Sequence, residues 1–217
     1  MKELIKENRA DHIIQHAQEV FFTKGYSRTT ISDICKMANC SRTTLYSYFD
    51  SKENIYLAVV KKAFQQFLKH FSQLEIQAKS GLDRVLIISV GYIQFSKAAP
   101  QYYQVVLDFY GILRNLNADT PQTEASLKIK EGSYFESVKE ISQLPIQLLL
   151  GEIKNGQKDK SINKNYTANE HMVNIWAFLK GISDIAPIAD NIGLRKRKKD
   201  NTAATVRRIL TTLLENN

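Results

Sequence analysis

The repeat of apolar residues at helical spacing is the feature that most constrains how this chain can fold. Ile13, Ala17, Val20 and Phe21 lie at positions i, i+4, i+7 and i+8, so they share one face of a helix. Similar stripes recur along the whole sequence. We find no sustained alternation of apolar and polar residues and no Asn-Gly or Asp-Gly hairpin turn. The sequence therefore predicts an all-α protein of about nine helices.

Glycine, proline and capping residues divide the chain into these helices. Lys24-Gly25 ends the first helix, Thr30-Ile31-Ser32-Asp33 has the form of a capping box that starts the second, and Ser41 can cap a third. The segment Asp50-Ser51-Lys52-Glu53 starts a long fourth helix. Later helices are predicted near residues 82–98, 101–115, 122–155, 168–186 and 200–215, with a kink or break at Pro145.

The net charge of +8 is unevenly distributed along the 217 residues. Residues 1–52 carry +2, whereas residues 195–217 hold 7 basic and 2 acidic residues, including the run Arg195-Lys196-Arg197-Lys198-Lys199. A basic excess is typical of proteins that bind nucleic acid, but we interpret this run as a solvated linker. Neutralising it is expected to lower only non-specific DNA affinity and the salt dependence of that affinity.

Several classes of protein do not fit the sequence. No apolar run approaches the roughly 20 residues that a membrane-spanning helix needs, and residues 1–9 mix both charges without leading into an apolar signal segment. We therefore expect a cytoplasmic protein that does not span a membrane. We find no phosphate-binding glycine loop, nucleophile elbow or His-Glu-x-x-His motif, so we predict neither an enzyme nor a cofactor. His12 and His16 have a zinc-compatible spacing without an evident third ligand, and we predict no metal site.

Residues 30–48 form two short predicted helices joined by a turn of about three residues, the length pattern of a helix-turn-helix. When Leu45 faces the core, Ser41 and Phe49 fall within about 40° of it on a helical wheel. The outward surface then holds hydrogen-bond donors and acceptors and no acidic residue, so it suits phosphates and base edges. Its side chains are Arg42, Thr43, Thr44, Tyr46, Ser47 and Tyr48, with Thr43 and Ser47 pointing directly away from the core.

The segments Gly25-Tyr26, Thr29 to Ile34 and Ala38 to Glu53 resemble the N-terminal signature of the TetR-type (tetracycline-repressor-like) bacterial transcriptional regulators. The resemblance covers roughly residues 9–60, and it implies a homodimer that binds a palindromic operator. It also implies a C-terminal domain that accepts a small molecule and thereby releases the DNA. By position, it implies that phosphates and bases are contacted by Thr30, Ser32, Arg42, Thr43, Thr44, Tyr46, Ser47, Tyr48 and Lys52.

Four positions depart from the pattern of that family. Cys35 and Cys40 stand where small aliphatic residues are usual; we interpret them as buried thiols, with a redox sensor beside Arg42 as the alternative. Asn39 replaces a common turn glycine, and because asparagine tolerates the left-handed conformation we expect the turn to be retained. Thr43 replaces a common glycine or proline and changes which base can be read.

Aromatic side chains are dense between residues 92 and 110 and recur later in the chain. Apolar pockets with a few polar groups are the usual ligand sites of helical bundles, and the resemblance implies a pocket in this region, although the same rings also suit a core or a dimer interface. Tyrosine hydroxyls and the His171 imidazole would be polar handles for an aromatic or amphipathic effector. The predicted pocket residues are Tyr92, Phe95, Tyr103, Phe109, Tyr110, Tyr134, His171 and Trp176.

The last two predicted helices, at the C-terminal end of the sequence, each have a stripe of apolar residues. The resemblance implies that they form the dimer interface, whereas from the sequence alone they could equally close a monomeric core. We therefore divide the chain into a DNA-binding domain, residues 1–52, and a ligand-binding and dimerisation domain, residues 53–217. The predicted function is a repressor that releases its operator when a small hydrophobic or aromatic effector binds. The alternative is a DNA-binding protein whose C-terminal bundle recruits a protein partner.

Overall fold

A computed structural model describes residues 2–74, 77–117, 124–192 and 201–215. Within these ranges the chain forms ten α-helices and no strand, which confirms the all-α prediction and adds one helix to the expected number. The basic run at residues 195–199 lies outside the described residues. The helices are α1 (Lys2–Lys24), α2 (Ile31–Met37), α3 (Arg42–Tyr46), α4 (Lys52–Ser72), α5 (Gly81–Ala98), α6 (Pro100–Asn117), α7 (Glu124–Lys130), α8 (Phe135–Lys158), α9 (Ala168–Asn191) and α10 (Thr202–Leu214).

The extra helix arises because the segment predicted as one helix over 122–155 is divided at residues 131–134. At that turn a Cβ on Gly132 would stand 2.5 Å from Leu57 Cδ1, and the Asn54 side-chain oxygen accepts a hydrogen bond from the Tyr134 backbone at 3.2 Å. These contacts with α4 hold the turn in place. A kink or a break was expected at Pro145. No break occurs, since α8 continues through that residue without the N–H that would have served the carbonyl four residues earlier, and the kink stays a prediction.

Helix α9 likewise continues beyond its predicted end. Residue 186 was the expected end of this helix, but Pro187 lies inside α9, which runs to Asn191. A proline removes one backbone donor and does not by itself end a helix whose neighbouring turns are stabilised by packing.

The fold consists of two compact units, and α4 and α8 contribute residues to both. Unit 1 comprises residues 1–66 and 101–142, and unit 2 comprises residues 67–100 and 143–217. The predicted boundary between residues 52 and 53 stays a prediction. None of the helices in the described ranges combines the length and the apolar character that a bilayer crossing requires.

Each unit has its own apolar core. In unit 1 the largest fully buried side chains include Ile13, Ile34, Leu45, Phe49, Phe64, Phe109 and Ile129. In unit 2, α5 packs against α9 and α10, and the buried side chains include Val85, Ile153, Ile175 and Leu210.

The apolar stripes of the last two helices serve two different surfaces. The side chains that close the core of unit 2 are Met172, Ile175, Leu179, Val206, Leu210 and Leu214. Other apolar side chains of the same helices are exposed, namely Val173, Ile185, Ile188, Ile209 and Leu213, together with Ile192, which directly follows α9. One apolar stripe is therefore internal to the chain and a second stripe is exposed; that the second stripe forms a dimer interface stays a prediction.

Candidate functional site

The turn between α2 and α3 has the hydrogen bonds of a Schellman motif. Asn39 adopts a φ of 46°, its N–H donates to the Lys36 carbonyl at 3.4 Å, and the Cys40 N–H donates to the Cys35 carbonyl at 3.0 Å. The expectation that asparagine would retain the turn in the left-handed conformation is confirmed. The turn therefore sets how α3 leaves α2.

The start of α2 is fixed by the predicted capping box. The Thr30 hydroxyl accepts from the Asp33 N–H at 3.2 Å, and the Asp33 carboxylate accepts from the Thr30 N–H at 3.0 Å and from the Thr30 hydroxyl at 2.8 Å. Lys24 at the end of α1 contacts the same carboxylate at 2.6 Å. The Lys24 ammonium and the Thr30 donors lower the pKa of Asp33 to about 2. The capping box is confirmed, and α1 and α2 are joined through it.

This low pKa predicts how the stability of the protein depends on acid. Because the folded-state pKa of Asp33 lies near 2 and that of an unfolded aspartate is near 4, the contribution of Asp33 is fully present above about pH 4. It is lost as the pH falls towards 2. Chemical denaturation at a series of pH values should give a shallower acid loss for Asp33→Asn than for the wild type. Asp11→Asn, at an exposed carboxylate of α1, is the matched control and should lose stability in acid as the wild type does. If Asp11→Asn and Asp33→Asn lose stability equally with falling pH, the assignment to Asp33 is contradicted.

Helix α3 is short and is anchored by its apolar side. Leu45 and Phe49 are fully buried, as predicted, and the Ser41 hydroxyl caps the helix by accepting from the Thr44 N–H at 2.9 Å. The prediction that Ser41 turns towards the core is wrong; the residue is exposed, because capping places it outside the helix. The helix itself ends at Tyr46, two residues earlier than predicted.

The outward surface of α3 has the composition predicted from the helical wheel. Four of its side chains are exposed, namely Arg42, Thr43, Tyr46 and Ser47, and Thr44 and Tyr48 are half-buried. No acidic residue occurs between Ser41 and Phe49. Arg42 reaches back to α2, where its guanidinium donates to the hydroxyl of Ser32, so both exposed side chains belong to one polar surface.

Two of the other predicted contact residues make internal hydrogen bonds. The Lys52 ammonium donates to the carbonyls of Tyr26 and Thr29, each at 3.2 Å, and lies 4.3 Å from the centre of the Tyr26 ring. The Thr30 hydroxyl is engaged in the capping box described above. Because an ammonium has three donors, Lys52 retains one for another acceptor, and its first role is to join the start of α4 to the loop that precedes α2.

A further set of contacts that we did not predict ties α4 to the turn between α7 and α8. Asn54 is buried, its amide donates to the Ser133 hydroxyl at 2.8 Å, and its oxygen accepts from the Tyr134 N–H. The Tyr134 ring is stacked on the ring of Phe49, one of the two residues that anchor α3, with centroids 6.5 Å apart. No sequence signal marks Asn54, since its partners lie about 80 residues away along the chain.

Four predicted pocket residues belong to unit 1 and are packed tightly there. Phe109 and Tyr110 contact the Phe64 ring with centroids 6.0 and 5.6 Å apart, and Tyr103 is buried. The Tyr110 hydroxyl donates to the Ser142 carbonyl at 2.7 Å, and burial raises the pKa of that hydroxyl. Its polar handle is therefore used inside the protein, and Tyr134 serves the contact with Phe49.

The other four predicted pocket residues belong to unit 2. Tyr92 and Phe95 pack on Phe67, His171 is fully buried with Nε2 at 3.1 Å from the Asn163 carbonyl, and Trp176 is half-buried. A cavity of about 410 Å³ in this unit has a charged lining that includes Arg84, Glu152 and Asp159 and none of the eight residues. The pocket residues stay predictions.

Comparison with known proteins identifies relatives of the N-terminal region. Residues 13–59 match the profile of a family described as bacterial regulatory proteins, tetR family. The HTH-type transcriptional regulator QacR of Staphylococcus aureus (strain Mu50) is 26% identical over 106 residues, 48% of this chain and 54% of QacR. The biofilm operon icaADBC HTH-type negative transcriptional regulator IcaR of Staphylococcus epidermidis is 41% identical over 58 residues, 27% of this chain and 31% of IcaR.

Structural similarity extends over nearly the whole chain. The transcriptional regulator FadR from Bacillus subtilis, solved in complex with stearoyl-CoA, is similar with a TM-score of 0.64 and 19% identity over 93% of this chain and 97% of FadR. At that identity the similarity establishes the fold alone. The chain spans about half or less of the length of the two sequence relatives that it matches.

Proposed function

We propose that the chain is a cytoplasmic, ligand-responsive transcriptional repressor of the tetR type and not an enzyme, because residues 13–59 match the tetR family of bacterial regulatory proteins. It binds a palindromic operator as a homodimer and releases it when a small hydrophobic effector binds. The name of IcaR, a negative transcriptional regulator, supports repression as the sign of control.

The observation that carries the proposal is the exposed, acid-free surface of α3. Leu45 and Phe49 hold the helix on the core of unit 1, so its polar side chains face outward on a rigid support. An arginine can donate two hydrogen bonds to a guanine edge, and hydroxyls suit phosphate oxygens. Residues Thr30, Ser32, Arg42, Thr43, Thr44, Tyr46, Ser47, Tyr48 and Lys52 remain our proposed contacts.

Replacing Arg42 tests whether this surface reads bases. We expect Arg42→Ala to weaken specific operator binding by roughly 1–3 kcal/mol, because a bidentate base contact is worth that amount. Fluorescence anisotropy with the intergenic DNA upstream of the protein's own gene measures the affinity, at one fixed salt concentration. Lys154→Ala removes a positive charge from an exposed position on α8 and is the matched control, for which we expect no change of that size.

Comparison of operator variants separates a base-specific contact of Arg42 from a general effect of its positive charge. If Arg42 reads a base, Arg42→Ala also flattens the differences between operators that vary at one base pair. Affinities that stay unchanged across all variants would exclude that role, and equal losses in Arg42→Ala and Lys154→Ala would indicate a general charge effect.

The effector proposal is supported by the aromatic clusters and by the structural neighbour. Phe64, Phe109 and Tyr110 form one cluster of rings in unit 1, and FadR was solved with stearoyl-CoA. Stearoyl-CoA and smaller aromatic compounds are therefore the first probes to add to the anisotropy assay. Loss of operator binding on addition supports a ligand-responsive regulator. Retained binding with every probe, together with a protein captured by the C-terminal residues, would favour the alternative of a partner-recruiting bundle.

We propose that α4 transmits the effector signal to α3. The start of α4 is joined to the loop before α2 by Lys52 and to the α7–α8 turn by Asn54. A displacement of α4 therefore moves the residues that support α3. In a dimer it changes the distance between the two copies of α3. The effector must bind the released state several kcal/mol more tightly to shift the population.

The dimer is proposed to form through the last two helices. At the end of α9 and directly after it, Ile185, Ile188 and Ile192 follow the spacing i, i+3 and i+7 and are more than half exposed. Ile209 and Leu213 form an exposed apolar stripe along α10. A two-fold contact would cover these stripes, and it suits an operator whose half-sites lie about one turn of DNA apart.

A further inference from the structure

Both cysteines of the 217-residue chain lie at the turn of the helix-turn-helix, with Cys35 in the last turn of α2 and Cys40 after that helix. Cys35 occupies the position three residues before the C-cap Ala38 of α2, and Cys40 is the second residue after that cap. In a Schellman motif these two positions are joined by a backbone hydrogen bond and their side chains commonly touch. The observed bond from the Cys40 N–H to the Cys35 carbonyl, at 3.0 Å, places the pair in that arrangement.

The backbone holds the two cysteines close together. Both thiols are free, and neither takes part in a disulfide. Standard bond lengths together with the 3.0 Å backbone contact keep the two α-carbons within about 7 Å, the upper end of the range that a disulfide spans. The pair therefore lies within the range that a disulfide can span, and closing the bond requires a small shift of the turn.

The environments of the two thiols differ. Cys35 is buried and Cys40 is half-buried, and burial together with the neighbouring thiol raises the pKa of Cys35. A thiolate is the reactive form of cysteine. Cys40 is therefore the thiol that an oxidant reaches first, and Cys35 is placed to react with its oxidised form.

We propose that Cys35 and Cys40 form an intramolecular disulfide on exposure to a hydroperoxide, and that this bond lowers operator affinity. In the first step the Cys40 thiolate attacks a peroxide oxygen, so the O–O bond breaks, a sulfenic acid forms and one water or alcohol leaves. In the second step the Cys35 sulfur displaces the sulfenic oxygen as water and the S–S bond forms. The two thiols lose two electrons and two protons in all, and the hydroperoxide gains them.

The consequence for DNA binding follows from where Cys40 lies, and this step rests on the proposed function. Disulfide formation brings the two sulfurs to about 2 Å from each other. Cys35 is held in the core, so Cys40 takes up the movement. Cys40 directly precedes the N-cap Ser41 and Arg42, and a shift there turns the exposed surface of α3 away from the position set by the reduced turn.

The experiment treats the full-length protein with hydrogen peroxide and follows two readouts in parallel. Intact mass spectrometry should show the loss of two hydrogen atoms, and peptide mapping should join Cys35 to Cys40. Operator affinity by anisotropy should fall about fivefold or more, since an arginine base contact alone is worth at least that factor. Dithiothreitol should restore both. Cys35→Ala and Cys40→Ser should keep their affinity in peroxide, which separates the disulfide from general oxidation of the protein.

Each outcome decides the proposal. If the intact mass increases by the mass of added oxygen atoms, or does not change, no disulfide has formed and that part of the proposal is overturned. A linked peptide with unchanged operator affinity overturns the control of DNA binding. If the reduced protein binds no DNA, the proposed function fails, while the mass measurement still decides whether the pair is an oxidation site.

Discussion

Gly81→Ala is expected to lower the free energy of unfolding by about 3 kcal/mol or more, because added atoms in a closed contact force backbone to move. A Cβ at Gly81 would stand 2.2 Å from the Gly156 backbone nitrogen and 2.4 Å from its Cα. Backbone atoms cannot rotate away as a side chain can. The same shift would disturb the start of α5, where the Gly81 N–H donates to Asp159 at 2.7 Å and the Leu82 N–H to Ser161 at 3.0 Å.

Chemical denaturation followed by circular dichroism measures this loss. Gly151→Ala is the matched control, because it lies within α8 and a Cβ there meets no atom within 4 Å. Alanine favours a helix over glycine by up to about 1 kcal/mol, so this variant should be as stable as the wild type or more stable. Equal destabilisation by the two substitutions would show that the close approach at Gly81 is not the cause.

The geometry of the helix-turn-helix could be predicted from the sequence because its signals are local. The capping box at Thr30, the left-handed turn at Asn39 and the anchoring of α3 by Leu45 each depend on neighbours within a few residues. A helical wheel therefore identified which side chains of α3 are exposed. It misplaced only Ser41, since a capping residue lies outside the helical geometry that a wheel assumes.

The remaining errors concern contacts between residues that are distant in sequence. The division between α7 and α8 depends on Asn54 and Leu57 of α4, which a reading of residues 122–155 cannot include. Pro145 was the stronger local signal, yet packing keeps α8 continuous through it. Lys52 differs from these cases, because its phosphate contact stays a prediction: the folded chain directs its ammonium to two carbonyls and leaves one donor for another acceptor.

The spacing of aromatic residues in the sequence also could not distinguish core residues from residues that line a pocket. Phe109 and Phe95 are buried against other rings, and the Tyr110 hydroxyl and His171 imidazole make internal hydrogen bonds. An aromatic ring at helical spacing can either fill the core or line a pocket. Only binding of an effector would show that a ring lines a pocket. The effector assay described above is therefore the direct test of the pocket residues.

Ile185→Glu is expected to convert the protein into a monomer and to weaken operator binding by about two orders of magnitude. Ile185 is 60% exposed on α9, so a glutamate there is solvated in the isolated protomer and the fold should keep its melting temperature. In a two-fold dimer the substitution occurs twice and would bury two unpaired carboxylates, each at a cost of several kcal/mol. A single reading head also loses the high effective concentration that linkage to a second head provides.

Sedimentation equilibrium and operator anisotropy on the same samples test this expectation, with Leu127→Glu as the matched control. Leu127 is 42% exposed on α7, so the control introduces the same charge at an exposed leucine outside the last two helices. It should remain dimeric and bind the operator like the wild type. A dimer that persists in Ile185→Glu would place the interface elsewhere, because no apolar interface tolerates two facing carboxylates without a partner. Monomers in both variants would instead point to α7 as part of the same contact.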